Sequence, residues 1–211
     1  MNEIQLTTVT FLIVIVWGIL LLLQGTPLSK DLITPITNIS GIVLIVFSVF
    51  NKWIWRWKIF YPWLVKKPYI QGTWKGTIVS NWRDPATGTN PEPLQVFLVV
   101  VQEYSSVNAF LLSKDSHSEL LSGEIKKKAD GDFQFIYVYR NTPKVLIRET
   151  NPIHFGSVIL DIGLKPKLSL EGQYWTDRGT MGQMQFCYFS KERYSTFEEA
   201  AKGEFIERLK M

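Results

Sequence analysis

The chain has 211 residues, 46% of them hydrophobic, with eight Trp and a single Cys. Its formal charge is +4, all of it in residues 1–68, which hold six basic and two acidic side chains, while residues 69–211 are neutral overall. A charge placed this way excludes a general nucleic-acid footprint, which would lie on the folded domain, so no DNA or RNA polymer is expected as a partner. One Cys excludes an intramolecular disulfide and points to a reducing compartment.

Leu6–Leu23 reads LTTVTFLIVIVWGILLLL, eighteen residues without a formal charge. As a helix it spans roughly 27 Å, close to a hydrocarbon core of about 30 Å. A cleavable signal peptide wants a basic n-region, and Met1–Gln5 has none, so a retained transmembrane helix is expected. The polar stretch Gln24–Asp31 turns the chain into a second apolar segment, Leu32–Phe50. Its Pro35 sits near the start, where a missing N–H costs little. The short connection makes the pair an antiparallel hairpin.

Asn51–Pro68 then alternates Trp53, Trp55, Trp57, Tyr61 and Trp63 with Lys52, Arg56, Lys58, Lys66 and Lys67. Directly after an apolar segment, such a belt places amphipathic rings at headgroup depth and cations on the cytoplasmic side. Both termini are then expected in the cytoplasm. The expected boundaries are 1–68 for hairpin and belt, 69–193 for a β domain and 194–211 for a closing helix.

From Tyr69 the sequence predicts strands at Tyr69–Ser80, Gln95–Glu103, Val107–Ser113, Glu119–Lys127, Asp132–Arg140, Ser157–Leu164, Leu168–Thr176 and Thr180–Phe189. Turn chemistry fills the gaps at Asp84–Gly88, Asp130-Gly131 and Asp177-Arg178-Gly179. With no long helical pattern between them, eight consecutive antiparallel strands predict an all-β sandwich or, preferably, an eight-stranded barrel able to hold one small ligand. Capping residues Ser195/Glu198 or Thr196/Glu199 open an amphipathic helix with Phe197, Ala200, Ala201, Ile206 and Leu209 largely on one face.

No Walker-type loop, nucleophile elbow or His-Glu-x-x-His helix is present, so the chain is read as a non-enzyme without metal or resident cofactor. His117 and His154 are the only histidines, and Cys187 reads as a structural thiol in a strand. Lys126-Lys127-Lys128 beside Asp130 and Asp132 reads as the solvated end of a hairpin.

Two local patterns stand out. In Gly72–Ile78, period two puts Trp74, Gly76 and Ile78 on one face, and Thr73, Lys75 and Thr77 on the other. Trp74 is either a plug of packing or a ligand contact. In Gly172–Gly182, the residues Tyr174, Thr176, Arg178, Thr180 and Gly182 recur at period two across a hairpin bend. Phenol, hydroxyl and guanidinium groups there form either a phosphate grip or a turn in which Arg178 pairs with Asp177.

The order of two apolar helices, aromatic-basic belt, Gly-x-Trp-x-Gly first strand and late Tyr-x-Thr-x-Arg-x-Thr-x-Gly hairpin resembles the two-transmembrane β-barrel effectors of bacterial antiphage CBASS systems, the CD-NTase-associated protein 15 family. The resemblance covers essentially the whole chain, in architecture more than in individually specific motifs. It implies a minimal barrel at the inner membrane that senses a cyclic di- or trinucleotide made by a partner synthase. Binding would drive self-association of the hairpins, disruption of the lipid bilayer and cell death. The ligand-binding residues expected on that reading are Trp74, Thr77, Arg83, Tyr139, Arg140, Tyr174, Thr176, Arg178 and Thr180. The competing reading is a membrane-tethered, lipocalin-like barrel with an apolar ligand or a structural role. An Arg and hydroxyl cluster at the barrel mouth would favour the first, a mostly apolar cavity the second.

Overall fold

Strand β1, Gly72–Ser80, closes the molecule's sheet by pairing with both its successor and the last long strand, β8. Between them run β2 Leu94–Gln102, β3 Val107–Leu112, β4 Ser116–Lys127, β5 Phe133–Pro143, β6 His154–Gly163, β7 Ser169–Thr176 and β8 Met181–Ser190, each antiparallel to the next. The computed structural model describes residues 10–11, 13–19, 22, 44–61, 63–83, 87–164 and 167–207. The expected eight-stranded barrel is present, and each strand overlaps its expected range. Bulges between Lys75 and Gly76 in β1, and between Leu120 and Ser122 in β4, adjust the register where the sheet curves.

Closure sorts side chains by parity. Val96, Leu98 and Val100 of β2 face inward with Trp74, while Phe97 and Val99 face outward. That outer pair is not wasted on solvent. Leu112 and Ala200 complete a second buried cluster with it, flanked by Phe110, Tyr194, Phe197 and Phe205. The stretch VFLVVV within β2 is therefore apolar at every position because both faces are covered.

One end of the barrel is a filled floor. The Trp74 ring lies 5.0 Å from Phe189, and its indole N–H donates to the Ile70 carbonyl at 2.8 Å. Buried Gln102 accepts from the Ile70 N–H and donates to the Pro68 carbonyl, satisfying the chain as it enters the barrel. Phe133, Phe135, Leu160, Ile162, Leu170 and Phe186 fill the space around them.

The C-terminal helix is shorter than the sequence pattern suggests, and this corrects the expected helix over 194–211. It covers only Phe197–Lys202 and packs on the outer wall, not over a barrel end. Its start is as expected: the Thr196 hydroxyl accepts from the Glu199 N–H, and the Glu199 carboxylate accepts from the Ser195 N–H. Gly203 then stops it, and Ile206–Glu207 form a ninth short strand on Phe189 and Tyr188. The physical cause is an open edge. Strand β7 pairs with β8 only as far as Phe186, so the backbone groups beyond it recruit the tail into the sheet.

The chain divides into two compact units, Met1–Lys66 with Glu103–Ser105, and Lys67–Gln102 with Ser106–Met211. In the first unit, the expected span Leu6–Leu23 lies partly, and Leu32–Phe50 mostly, outside the described residues. Among the described residues, 10–11, 13–19, 22 and 44–52 are helical, and no helix is long and apolar enough to cross a membrane. The belt forms two 3-10 turns, Ile54–Arg56 and Lys58–Phe60. Trp53, Trp57 and Trp63 are exposed, whereas Trp55 is buried together with Phe50, against Tyr104.

Barrel closure gives a direct test. A Cβ added at Gly76 would overlap the Gln185 carbonyl and come 2.5 Å from the Phe186 ring. Gly76→Ala should destabilise by about 1–3 kcal/mol. The neighbouring exposed Thr77→Ala should stay within about 0.5 kcal/mol. Thermal melting of both variants as full chains in detergent checks the contrast.

Candidate functional site: the barrel mouth

Opposite the floor, the inward positions become smaller and more polar, and a cavity of about 520 Å³ opens. That volume lies within the roughly 300–1,000 Å³ usual for small-molecule sites. Its two walls differ in chemistry. Strands β1 to β4 supply Ile78, Leu94, Val96, Leu98, Leu111 and Leu120, an aliphatic surface. Strands β5 to β7 supply Tyr137, Tyr139, Asn141, His154, Tyr174 and Thr176, and Ser118 of β4 continues that polar wall.

Room for the tyrosines comes from glycines across the ladder. Tyr137 pairs with Gly123, Tyr139 with Gly156 and Tyr174 with Gly182. A Cβ at Gly123 would stand 2.6 Å from the Tyr137 Cβ. At Gly156 it would meet the Tyr139 phenol at 2.5 Å, and at Gly182 the Tyr174 ring at 2.7 Å. The two outer rings therefore lie over bare backbone instead of filling the lumen. Among the described residues, none of the three phenol oxygens has a hydrogen-bond partner. Burial pushes the Tyr137 and Tyr139 phenols far above the ordinary tyrosine value, and for Tyr139 the neighbouring Tyr174 and Asp177 add to it. Both stay neutral and keep an O–H to donate.

The rim is organised by the turn from β7 to β8. Gly179 adopts φ +74°, a left-handed conformation that favours glycine. The Thr176 and Thr180 hydroxyls meet at 2.7 Å, and the Thr176 N–H donates to the Thr180 carbonyl at 2.9 Å. Arg178, exposed at the tip, does not pair with Asp177. Asp177 instead accepts from the Phe155 N–H at 3.2 Å. The Arg178 Nη1 reaches across the rim to Asn151 Oδ1 at 2.5 Å and stands 3.5 Å from His154 Nδ1. A neutral acceptor holds the guanidinium in place without neutralising its charge.

Of the residues expected from sequence, Tyr139, Tyr174, Thr176, Arg178 and Thr180 come together around the cavity. The others lie elsewhere. Trp74 is sealed in the floor. Thr77 points outward, and Arg83 is exposed beyond the end of β1. Arg140 lies on the outer face, 3.6 Å from Glu119. Period two separates Tyr139 from Arg140, since consecutive residues in a strand cannot both face the lumen. Tyr137, Ser118, Asn141, Asn151 and His154 were not expected at the site. For Tyr137 and Asn141 the signal was available, because both share the parity of Tyr139.

Outside the cavity the remaining candidates are quiet. Among the described residues no group of three or more His, Cys, Asp or Glu side chains is arranged to hold a metal ion. Burial pushes the Cys187 thiol up, with Glu171 and Glu207 adding to it, the opposite of an activated thiolate. Lys128 lies 3.2 Å from both Asp130 and Asp161, which accounts for the charged hairpin end.

Two comparisons bear on this geometry. Residues 65–187, which include all eight long strands except the last residues of β8, match the family described as Cap15, cyclic dinucleotide receptor domain. CD-NTase-associated protein 15 of Yersinia aleksiciae is 28% identical over 148 residues, covering 69% of this chain and 66% of that relative. The match thus spans just under two thirds of the relative's length.

The buried phenols predict how stability depends on pH. Their folded pKa is raised, so the native state keeps protons that the unfolded state releases above the ordinary value of 10.0. Stability is fully present below that value and falls as pH rises beyond it, by about 1.4 kcal/mol per pH unit for each group. Burial lowers the Lys67 ammonium to about 8, which opposes the trend, but only up to its ordinary 10.5. Above pH 10.5 that opposition ends, and Lys128, raised by its bonds to Asp161 and Asp130, and the raised Cys187 thiol act in the same direction as the tyrosines. Denaturant titrations between pH 9 and 12 should show this fall, and Tyr137→Phe should flatten it.

Proposed function

The chain belongs to the Cap15 cyclic dinucleotide receptor family, and on that premise we propose that it is a CBASS effector whose barrel binds a cyclic dinucleotide at its mouth. The observation that carries this reading is the rim cluster: Arg178 over the cavity, braced by Asn151 and flanked by the Thr176 and Thr180 hydroxyls. A guanidinium offers two parallel donors to a phosphate, and hydroxyl neighbours add more. Beneath it, the tyrosine wall supplies aromatic faces and neutral donors for bases, and the aliphatic wall supplies desolvation. The protein acts by binding; no catalytic role is assigned to any side chain.

The remainder of the proposal concerns the N-terminal unit. Residues 1–68 anchor the protein in the inner membrane as a two-helix hairpin, with barrel and both termini cytoplasmic, as the cations of Lys52–Lys67 suggest. Confinement to two dimensions raises the effective concentration of barrels, so a modest ligand-dependent attraction suffices for self-association and bilayer disruption. The functional partner is the synthase that makes the ligand, as the name of the Yersinia relative suggests. The aliphatic wall gives the lipocalin-like carrier its one specific support.

Arg178→Ala separates these readings. A hydrogen-bonded charge contributes about 1.5–3 kcal/mol. The variant should therefore bind a cyclic dinucleotide at least about tenfold more weakly in calorimetry of the full chain in detergent, and Arg178→Lys should retain a fraction. Affinity should fall with added salt. Because Arg178 is exposed, the melting transition should shift by no more than about 0.5 kcal/mol. Unchanged binding with a lower melting temperature would assign Arg178 to bracing the loop of Asn151. Tight binding of a fatty acid and of no nucleotide would establish the carrier. For topology, a reporter fused after Met211 should be active only in the cytoplasm.

A further inference from the structure

We propose that Asn141, set by Ser118, selects the base of the ligand and favours one with a carbonyl oxygen at pyrimidine C4 or purine C6 over one with an amino group at that position. The inference rests on the receptor reading above and adds to it the chemistry of recognition.

Ser118 and Asn141 face each other across β4 and β5 and are 7% and 5% exposed. The Ser118 hydroxyl donates to Asn141 Oδ1 at 2.8 Å. In this orientation the amide oxygen is engaged, and the group presented to the cavity is the Nδ2 amine, a donor. Among the described residues no side chain or carbonyl accepts from it. Nδ2 opens onto the cavity, and a ligand that covers it must offer it an acceptor, since a donor buried without one is costly.

Register continues the argument. Leu111, Ser118, Asn141 and His154 lie side by side on successive strands, and His154 Nδ1 stands 3.5 Å from the Arg178 guanidinium. One polar row therefore leads from the phosphate grip to the amide. Apart from His154, Arg178 is the sole basic residue lining the cavity among the described residues, so phosphate belongs at the rim and a base turns inward. Beyond Ser118 the same register continues into the apolar wall through Leu111 and Leu98. At pyrimidine C4 or purine C6, uracil O4 and guanine O6 accept hydrogen bonds, whereas the amino groups of adenine and cytosine donate, and a base inserted with that edge toward Asn141 would meet it donor to donor.

The test is calorimetry of the full chain in detergent with four homodimeric cyclic dinucleotides, of uridine, guanosine, adenosine and cytidine. The uridine or guanosine compound should bind at least about tenfold more tightly than the adenosine or the cytidine compound. Ser118→Ala frees the Asn141 oxygen to accept from an amino group and should narrow that ratio to about threefold or less. Asn141→Asp, which replaces donors with acceptors, should abolish or invert it. Arg178→Ala should weaken all four alike and leave the ratio intact. Equal affinities in the unmodified protein overturn the inference and leave the receptor reading standing. A ratio unchanged in both folded variants, checked by melting, does the same. Binding of none of the four overturns the receptor reading, and this inference with it.

Discussion

The pairing of β1 with β8, from Thr73↔Ser190 to Ser80↔Gly182, is the constraint on which everything else depends. It turns a meander into a tube of fixed circumference, and half of every strand must then be accommodated inside. At the floor this is met by volume, with Trp74, Phe135, Phe186 and Phe189 filling the section. At the mouth it is met by omission. Gly156 and Gly182 carry no side chain inward, and Tyr139 and Tyr174 occupy that space instead of the lumen. The cavity follows from the residue sizes at successive levels of one closed sheet.

The two halves of the mouth arise from the same geometry. Neighbouring strands place residues of equal register side by side, so a chemical character shared by β5, β6 and β7 becomes a wall and not scattered points. Phenols held neutral by burial, an amide and hydroxyls line that wall, and its one guanidinium is kept at the edge. A fully charged lining would bear a heavy desolvation cost before any ligand arrived. Neutral donors within and a cation at the rim keep most of the cavity lining uncharged.

Much of the fold was legible in the sequence, since alternation marks strands and Asp130-Gly131 and Asp177–Gly179 mark turns in local chemistry. The tail was misread for an equally physical reason. Phe197, Ala200 and Ala201 carry a helical pattern, but the free edge of β8 that claims Ile206 is a property of the closed sheet. The site divides along the same line. Arg178 with Thr176 and Thr180 is a hairpin, local in sequence, and could be found there. Ser118 and Asn141 are 23 residues apart and meet only through strand register, which no short motif encodes. Arg140 and Thr77 were chosen for their chemistry without the parity that turns both outward.

Closure of the sheet also limits how copies of this protein can meet. A strand with unpaired N–H and C=O groups is a template on which chains add without end. Here β1 through β8 form a circuit, and the stretch of β8 that β7 leaves uncovered is taken up by Ile206–Glu207 of the chain's own tail. The circuit is thinnest between β3 and β4, where only Phe110 to Leu112 pair, so β4 beyond Glu119 keeps β5 as its one strand partner among the described residues. Elsewhere the closed wall offers a neighbouring molecule side chains and not an open backbone ladder.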